Sequence, residues 1–311
     1  MIQGTVTALI TRRLGDRVEL CVFDHAEFVQ LPSGTLDPEE RPIAGVVRQA
    51  WHETGLPHLE VVGRVATLHD EHAGGTSRHV FHLRTVAPTP DEWWVLTPDG
   101  GGSQWRCRWV PVDEATGLQK HQRRWLDSGR DLLDPGPPVD PMPPNPPGAT
   151  ELFDAVNGIR MLMTVREAPP PPGAVLGSSY GVCVTADGDA VIVTQDAASG
   201  WGLPGGRPEP GETPEETLAR EVGEEACARV VDREVLLTSE DQLFDGHRNV
   251  ARHHFTPVYW ARVELDEWRP AFEMTERRLV PLADLGDALG WEVPAHRRIH
   301  ELAIDAEARR S

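Results

Sequence analysis

Lysine is almost absent from this chain of 311 residues: Lys120 is the only one, so arginine carries nearly all of the positive charge. The 30 basic residues are outnumbered by 49 acidic ones, which gives a formal net charge of −19. Nucleic acids bind basic surfaces because their phosphate backbone is negative, so this balance argues against nucleic acid as the main partner. It also means that an anionic substrate must be received by local arginines or bound cations.

Long apolar runs and paired cysteines are also missing. No apolar stretch reaches the ~18–20 residues that a membrane span needs, and the N-terminus has no basic region followed by an apolar core. The four cysteines each stand alone, without a C-x-x-C spacing. Three of them lie in strand-like runs, which favours buried thiols over metal ligands or disulfides: Cys21, Cys107 and Cys183. We therefore expect a cytoplasmic protein that has no membrane partner.

The most informative segment is an acidic stretch in the second half of the chain. Glu221, Glu224 and Glu225 are spaced i, i+3 and i+4, so a helix would place them on one face. Carboxylates that close repel one another unless a cation lies among them, and Mg²⁺ prefers oxygen ligands of this kind. The segment therefore predicts a metal site, and the metal points to phosphate chemistry.

The sequence also specifies the helix that would carry these carboxylates. Thr213 is a suitable N-cap, and Pro214 suits the first helical position. Glu216 completes a capping-box pattern with Thr213. Leu218 and Val222, four residues apart, supply an apolar stripe.

From Gly206 to Ala228 the chain resembles the Nudix box, G-x5-E-x7-R-E-U-x-E-E-x-G-U, in which U is an aliphatic residue. The motif positions that match are Gly206, Glu212, Arg220, Glu221, Val222, Glu224 and Glu225. Cys227 replaces the last glycine of the pattern, where glycine permits the positive φ at which many helices end. A solvated acidic helix is the alternative interpretation, and the long spaced pattern argues against it.

The resemblance implies an α/β fold, an α/β/α sandwich around a mixed sheet. It also implies a hydrolase that uses Mg²⁺ or Mn²⁺ to cleave a pyrophosphate bond in a nucleoside diphosphate derivative or a nucleoside triphosphate. In that family Glu221, Glu224 and Glu225 would bind the metal with the carbonyl of Gly206, and Arg220 would orient the carboxylates. Bound cations neutralise the diphosphate and acidify a water molecule.

The general base and the substrate contacts are less well defined. One motif carboxylate can serve as the base, and the other candidates are two acidic residues that precede the last strand, Glu273 and Glu276. Trp201 either stacks on a nucleobase or fills the core. Four basic residues are predicted in a loop that enters a strand, where they either meet phosphate or are simply solvated: Arg248, Arg252, His253 and His254.

The same template occurs a second time, 172 residues earlier in the chain. This first copy keeps six positions: Gly34, Glu40, Arg48, Glu53, Gly55 and Leu56. Gln49 stands opposite Glu221 and His52 opposite Glu224, so two metal carboxylates are lost. We predict that the first domain is catalytically inactive and acts as a structural partner, half of an intramolecular pseudo-dimer or homodimer, or a ligand-sensing module. His52 with Glu53 also suits Zn²⁺, although a surface histidine is commoner.

Proline-rich segments divide the chain. We predict a degenerate Nudix-like domain over residues 1–133, a linker over 134–150, and a catalytic domain with an N-terminal extension over 151–311. The piece before the second proline run, at 169–172, is predicted as a short helix followed by a strand. Two other functions stay open: a non-catalytic nucleotide-sensing or interaction protein, and Nudix-fold chemistry other than hydrolysis, such as isomerisation.

Overall fold

The fold is taken from a computed structural model that describes residues 4–25, 28–70, 76–96, 104–115, 117–142, 145–154, 159–195, 200–245, 250–269 and 274–310. Contacts between Cα atoms divide the chain into two compact units. The first comprises Met1–Val95, Trp105–Pro144 and Phe153–Ala155, and the second comprises Leu96–Gln104, Asn145–Leu152 and Val156–Ser311. Each unit carries one copy of the repeated motif.

The first unit is built on a mixed sheet. Its elements are β1 (Thr5–Leu14), β2 (Arg17–His25), β3 (Phe28–Gln30), β4 (Ser33–Thr35), α1 (Pro42–Thr54), β5 (Leu59–Asp70), β6 (Thr76–Thr85), β7 (Glu92–Leu96), β8 (Gln104–Pro111) and α2 (Lys120–Gly129). The strands lie in the order β8-β2-β1-β6-β5. Strand β1 pairs parallel with β6 and antiparallel with β2, so the polarity changes within the sheet.

The second unit repeats this arrangement. Its elements are β10 (Ile159–Arg166), β11 (Ser179–Val184), β12 (Asp189–Thr194), β13 (Gly205–Gly206), α3 (Pro214–Ala226), β14 (Ala228–Asp245), β15 (Val250–Leu265), β16 (Glu276–Pro281), α4 (Leu285–Ala288) and α5 (Pro294–Ala308), and the chain enters it through β9 (Ala149–Asp154). The order β16-β12-β11-β15-β14 matches the first unit, and β11 and β15 are again the parallel pair. Strand β10 extends this sheet beyond β14.

Helices cover both faces of each sheet. In the first unit, Val46 and Ala50 of α1 pack on one face, and Trp125 and Leu126 of α2 pack on the other. In the second unit, α3 and α5 take these places, with Leu218 and Val222 buried in one core and Ile299 and Ala303 in the other. The α/β class with two tandem α/β/α sandwiches is therefore confirmed. Within the described residues, no helix is long and apolar enough to cross a membrane.

The short helix predicted before the second proline run is wrong. The described residues there form two strands, β9 and β10, and β10 pairs antiparallel with β14 from Ile159 opposite Asp245 to Arg166 opposite Thr238. Local propensity is a weak determinant, and an open strand edge that offers backbone hydrogen bonds overrides it.

The two motif helices begin differently. Thr213 caps α3 as predicted: the Glu216 amide donates to its hydroxyl at 3.2 Å, and the Thr213 amide donates to the Glu216 carboxylate at 2.9 Å. Helix α1 has Arg41 at the corresponding place, and no side-chain hydrogen bond caps it. The helix in the second unit is therefore the better anchored of the two, since such a cap contributes about 1 kcal/mol.

The motif helices end alike, on a left-handed residue. Gly55 has φ 62° and Cys227 has φ 45°. A side chain in this region costs roughly 1–2 kcal/mol, so Cys227 is held there by its surroundings. Arg277 donates to the carbonyls of Ala226 and Cys227 at 2.7 and 3.0 Å, and the amide of Asp266 donates to the Cys227 carbonyl at 2.9 Å.

An arginine–glutamate brace joins each motif helix to the loop before it. Arg48 donates to both carboxylate oxygens of Glu40 at 2.9 and 2.6 Å, and Arg220 donates to both of Glu212 at 2.8 and 3.1 Å. Bidentate pairs of this kind fix geometry as well as charge. The hydrogen bonds from the arginines lower the pKa of each carboxyl from an ordinary value of 4.5 to about 2.

Replacing Cys227 by glycine should raise the free energy of unfolding by about 1 kcal/mol, because glycine adopts the left-handed conformation without strain. Urea unfolding of the wild type and Cys227→Gly measures the difference. The matched control is Gly55→Ala, which should destabilise the chain because a Cβ there would lie 2.2 Å from the Phe153 ring. A Cys227→Gly protein less stable than wild type would contradict the assignment of strain.

The Glu212 brace should weaken in acid. A carboxyl whose pKa is lower in the folded state stabilises the fold above its unfolded pKa, and this contribution is lost as pH falls from 4.5 toward about 2. The stability advantage of the wild type over Glu212→Gln should therefore shrink as pH falls from about 5 to about 2. Denaturant titrations at several pH values measure this, and an advantage that does not change with pH would show that the ion pair is not its source.

Candidate functional site

Helix α3 presents the three motif glutamates toward the glycine loop that precedes it. One guanidinium nitrogen of Arg220, Nη1, donates to Glu221 at 2.8 Å and to Glu224 at 3.2 Å. Arg220 therefore supplies the positive charge that this acidic face requires. As the side chains stand, no three His, Cys, Asp or Glu groups in the described part of the chain are gathered closely enough to enclose a metal ion.

Glu225 and the loop glycines form the floor of the site. The amide of Gly205 donates to a carboxylate oxygen of the buried Glu225 at 2.9 Å. A Cβ on Gly206 would lie 2.5 Å from a carboxylate oxygen of Glu221, and one on Gly205 would lie 2.3 Å from the carbonyl oxygen of Ser179. Only glycine fits at Gly205, where the contact would be with backbone, whereas at Gly206 a Cβ would displace the Glu221 side chain. The backbone of Gly206 therefore lies against the acidic face of α3.

The donor set of this site fits a hard divalent cation. It consists of the carboxylate oxygens of α3, with the backbone of Gly206 beside Glu221. Mg²⁺ and Mn²⁺ take oxygen ligands of this type. Because Arg220 now pairs with Glu221 and Glu224, a cation would take over the charge that its Nη1 supplies.

The first unit retains the frame of this site and lacks most of its charge. The amide of Ser33 donates to Glu53 at 2.6 Å, as that of Gly205 does to Glu225. Gln49 lies against Gly34, where a Cβ would be 2.2 Å from its side chain, and its amide donates to the Thr35 carbonyl at 3.2 Å. A neutral group therefore occupies the place of Glu221.

Two residues predicted to contact substrate occupy different surroundings. Trp201 packs against the core of the second unit, and the guanidinium of Arg278 lies 4.1 Å from its ring centroid. Arg252 lies in β15, exposed and opposite Leu243, so it belongs to a strand and not to the predicted loop. The same correction applies to His253 and His254, whereas Arg248 lies outside the described residues.

The candidate bases near the last strand are also repositioned. Glu276 is the first residue of β16, where it pairs with Thr194, and does not precede the strand as predicted. Its neighbour Arg277 reaches the end of α3. Successive strand residues point to opposite faces, so Glu276 points away from α3. Glu273 lies outside the described residues.

A buried polar cluster on β14 and β15 escaped the sequence analysis. Both Ser239 and Thr256 donate hydrogen bonds to Asp241, the second at 2.9 Å, and Nε2 of His254 lies 3.7 Å from its carboxylate. Burial raises the pKa of Asp241 and lowers that of His254, and the positive charge of Arg207 lowers the latter further. The sequence signal for this cluster is a pair of polar residues two positions apart on each strand. Polar strands at a protein surface show the same alternation, so the pattern does not identify a buried cluster.

Both halves of the chain match the family profile described as the NUDIX domain, over residues 2–128 and 175–303. No curated protein sequence matches the chain. Among solved structures, the pyrophosphohydrolase BsRppH of Bacillus subtilis is 18% identical, with 47% of this chain and 92% of that chain covered and a TM-score of 0.38.

Two further structures are similar at the same level. The Ap4A hydrolase of C. elegans is 16% identical, with 43% of this chain and 100% of that chain covered and a TM-score of 0.32. The NUDIX domain of Shewanella oneidensis NrtR, complexed with ADP ribose, is 20% identical, with 44% and 94% covered and a TM-score of 0.33. Since the two profile matches together span more than half of the sequence, this chain belongs to the Nudix family and contains two tandem NUDIX domains.

Proposed function

We propose that this protein is a metal-dependent hydrolase that cleaves a pyrophosphate bond in a nucleoside diphosphate derivative or a nucleoside triphosphate, and that the second domain performs the chemistry. One observation carries the proposal. Glu221, Glu224 and Glu225 share one face of α3 beside the backbone of Gly206, whereas the first domain has Glu53 alone. Three carboxylates can hold the divalent cations that neutralise a diphosphate, and a single one holds them poorly.

The proposed metal ligands are Glu221, Glu224 and Glu225 with the carbonyl of Gly206. Mg²⁺ or Mn²⁺ bound there would neutralise the diphosphate and lower the pKa of a water molecule. Arg220 would give up its bonds to Glu221 and Glu224. Its bidentate pair with Glu212 and its bond to the Arg207 carbonyl, at 2.8 Å, would keep the guanidinium against the loop. Arg220 then orients the glycine loop relative to the acidic face.

We propose that a motif carboxylate, in preference to Glu276, acts as the general base. The motif carboxylates lie beside the proposed cation, within reach of a water that it acidifies. Glu276 points away from α3, since Arg277 on the same strand points toward it. Glu276, which is exposed at the start of β16, is the second candidate for the base.

Substrate binding has to overcome the acidic charge of the protein, which at −19 repels a polyphosphate. Arg207 follows Gly206 directly, and Arg252 is exposed on β15, so both are proposed to meet phosphate oxygens. Trp201 is proposed to stack on the nucleobase of the substrate. Because Arg278 covers its ring from 4.1 Å, only the remaining face of the ring is available for that contact.

The first domain is proposed to be inactive and to support the second. A nucleotide-sensing role for the whole chain is the second candidate, and the pairing of Arg220 with Glu221 and Glu224 favours it, because Arg220 already supplies positive charge to these carboxylates. The two functions differ in turnover. A sensor would bind a nucleotide without releasing products.

Glu225→Gln and Glu53→Gln form a matched pair that locates the chemistry. Each change removes one carboxylate charge and keeps an oxygen that can accept from the loop amide. We expect Glu225→Gln to lower kcat by about 100-fold or more, because a ligand of the catalytic cation contributes several kcal/mol to transition-state stabilisation. Glu53→Gln should leave kcat unchanged. Product release from a panel of nucleoside diphosphate derivatives and nucleoside triphosphates with Mg²⁺ measures both.

The same panel distinguishes the alternatives. Activity that survives in Glu225→Gln and disappears in Glu53→Gln would place the chemistry in the first domain. Nucleotide binding without product release by the wild type would favour the sensor. A kcat that falls in Glu276→Gln as far as in Glu225→Gln would return Glu276 to the role of base.

A further inference from the structure

Ser179 carries a hydroxyl that is buried without a partner directly beside the acidic site. Its side chain is 1% exposed, and its Oγ has no hydrogen-bond partner among the described residues. Burying a hydroxyl without a hydrogen bond costs on the order of 1–3 kcal/mol. A partner supplied by a bound group would offset this cost.

The strand register places this hydroxyl on the face of the sheet that α3 covers. Ser179 on β11 lies directly opposite Gly206 on β13 in an antiparallel pair. Residues paired in this way point to the same face, with Cβ positions about 5 Å apart. A Cβ at Gly206 would meet the carboxylate of Glu221 at 2.5 Å, so the Ser179 side chain lies on the same face of the sheet as that carboxylate.

Neighbouring residues of β11 agree with this direction. Gly181, two residues along the strand and therefore on the same face, lies against Leu218 of α3, since a Cβ at Gly181 would be only 2.9 Å from the leucine side chain.

The first domain provides an internal comparison at the same position. Val6 on β1 lies opposite Gly34 on β4, as Ser179 lies opposite Gly206. Val6 is completely buried with Val46 and the rest of the core beneath α1. The domain with a neutral Gln49 therefore has a hydrocarbon here, and the domain with Glu221 has a hydroxyl.

We propose that Ser179 is a positioning residue of the metal site in the second domain, where its hydroxyl holds a water molecule that the bound cation carries. This inference rests on the proposed metal-dependent function. Mg²⁺ keeps several of its waters when proteins bind it, and a hydroxyl can both donate to and accept from such a water. The cation would thus bring the partner that Ser179 Oγ lacks, and part of its burial cost would be recovered on binding.

The test is the affinity for Mn²⁺, measured from the EPR signal of the free ion without any nucleotide. Four proteins are compared: wild type, Ser179→Ala, Ser239→Ala and Glu224→Gln. Groups that support metal ligands typically contribute 10–100-fold to affinity, so Ser179→Ala should bind Mn²⁺ about tenfold more weakly or worse. Ser239→Ala also loses a buried hydroxyl of this domain, but one bonded to Asp241, and should bind Mn²⁺ like the wild type.

Stability without metal supplies the second measurement. Ser179→Ala removes an unpartnered polar group, so in the presence of EDTA its unfolding temperature should equal or exceed that of the wild type, which separates a loss of affinity from a damaged fold. An Mn²⁺ affinity unchanged in Ser179→Ala but lost in Glu224→Gln would overturn the role of Ser179 and leave the metal site intact. No Mn²⁺ binding by the wild type would overturn both this inference and the proposed hydrolase.

Discussion

The hydrogen bonds of Arg220 hold the candidate site together. Its guanidinium binds Glu212 in the loop, Glu221 and Glu224 on the helix, and the carbonyl of Arg207 between them. Without this cation the carboxylates of α3 would repel one another across less than one helical turn. The same contacts fix the glycine loop against the helix. One side chain therefore both reduces the repulsion among the carboxylates and sets the position of the loop relative to α3.

Duplication separates the frame of the site from its chemistry. The first domain keeps the arginine–glutamate brace between Arg48 and Glu40 and the bond from a loop amide to Glu53, although it lacks two of the three motif glutamates. The strand order and the left-handed helix end are also retained. The loop–helix unit therefore forms with only one of these carboxylates, so the other two are not needed for the fold.

The sequence predicted the local parts of this arrangement because they are encoded within a few residues. The capping box at Thr213 and the shared face of Glu221 and Glu224 follow from helical spacing alone. The position of Ser179 opposite Gly206 depends on strand register, which the spacing of residues in the sequence does not predict. The contacts of Arg277 with the end of α3, the Asp241 cluster and the strand at 159–166 likewise depend on segments far apart in the chain.

The two left-handed helix ends differ in what holds them in place. Gly55 favours its conformation by itself, so the end of α1 can form as soon as the helix does. Cys227 does not, and the groups that hold it, the amide of Asp266 and the guanidinium of Arg277, come from residues about 40 and 50 positions later. The final turn of α3, which carries Glu225, therefore depends for its left-handed end on residues that follow β15 and on β16. In the second domain the end of the acidic helix is held by the last strand of the sheet, whereas in the first domain a single glycine suffices.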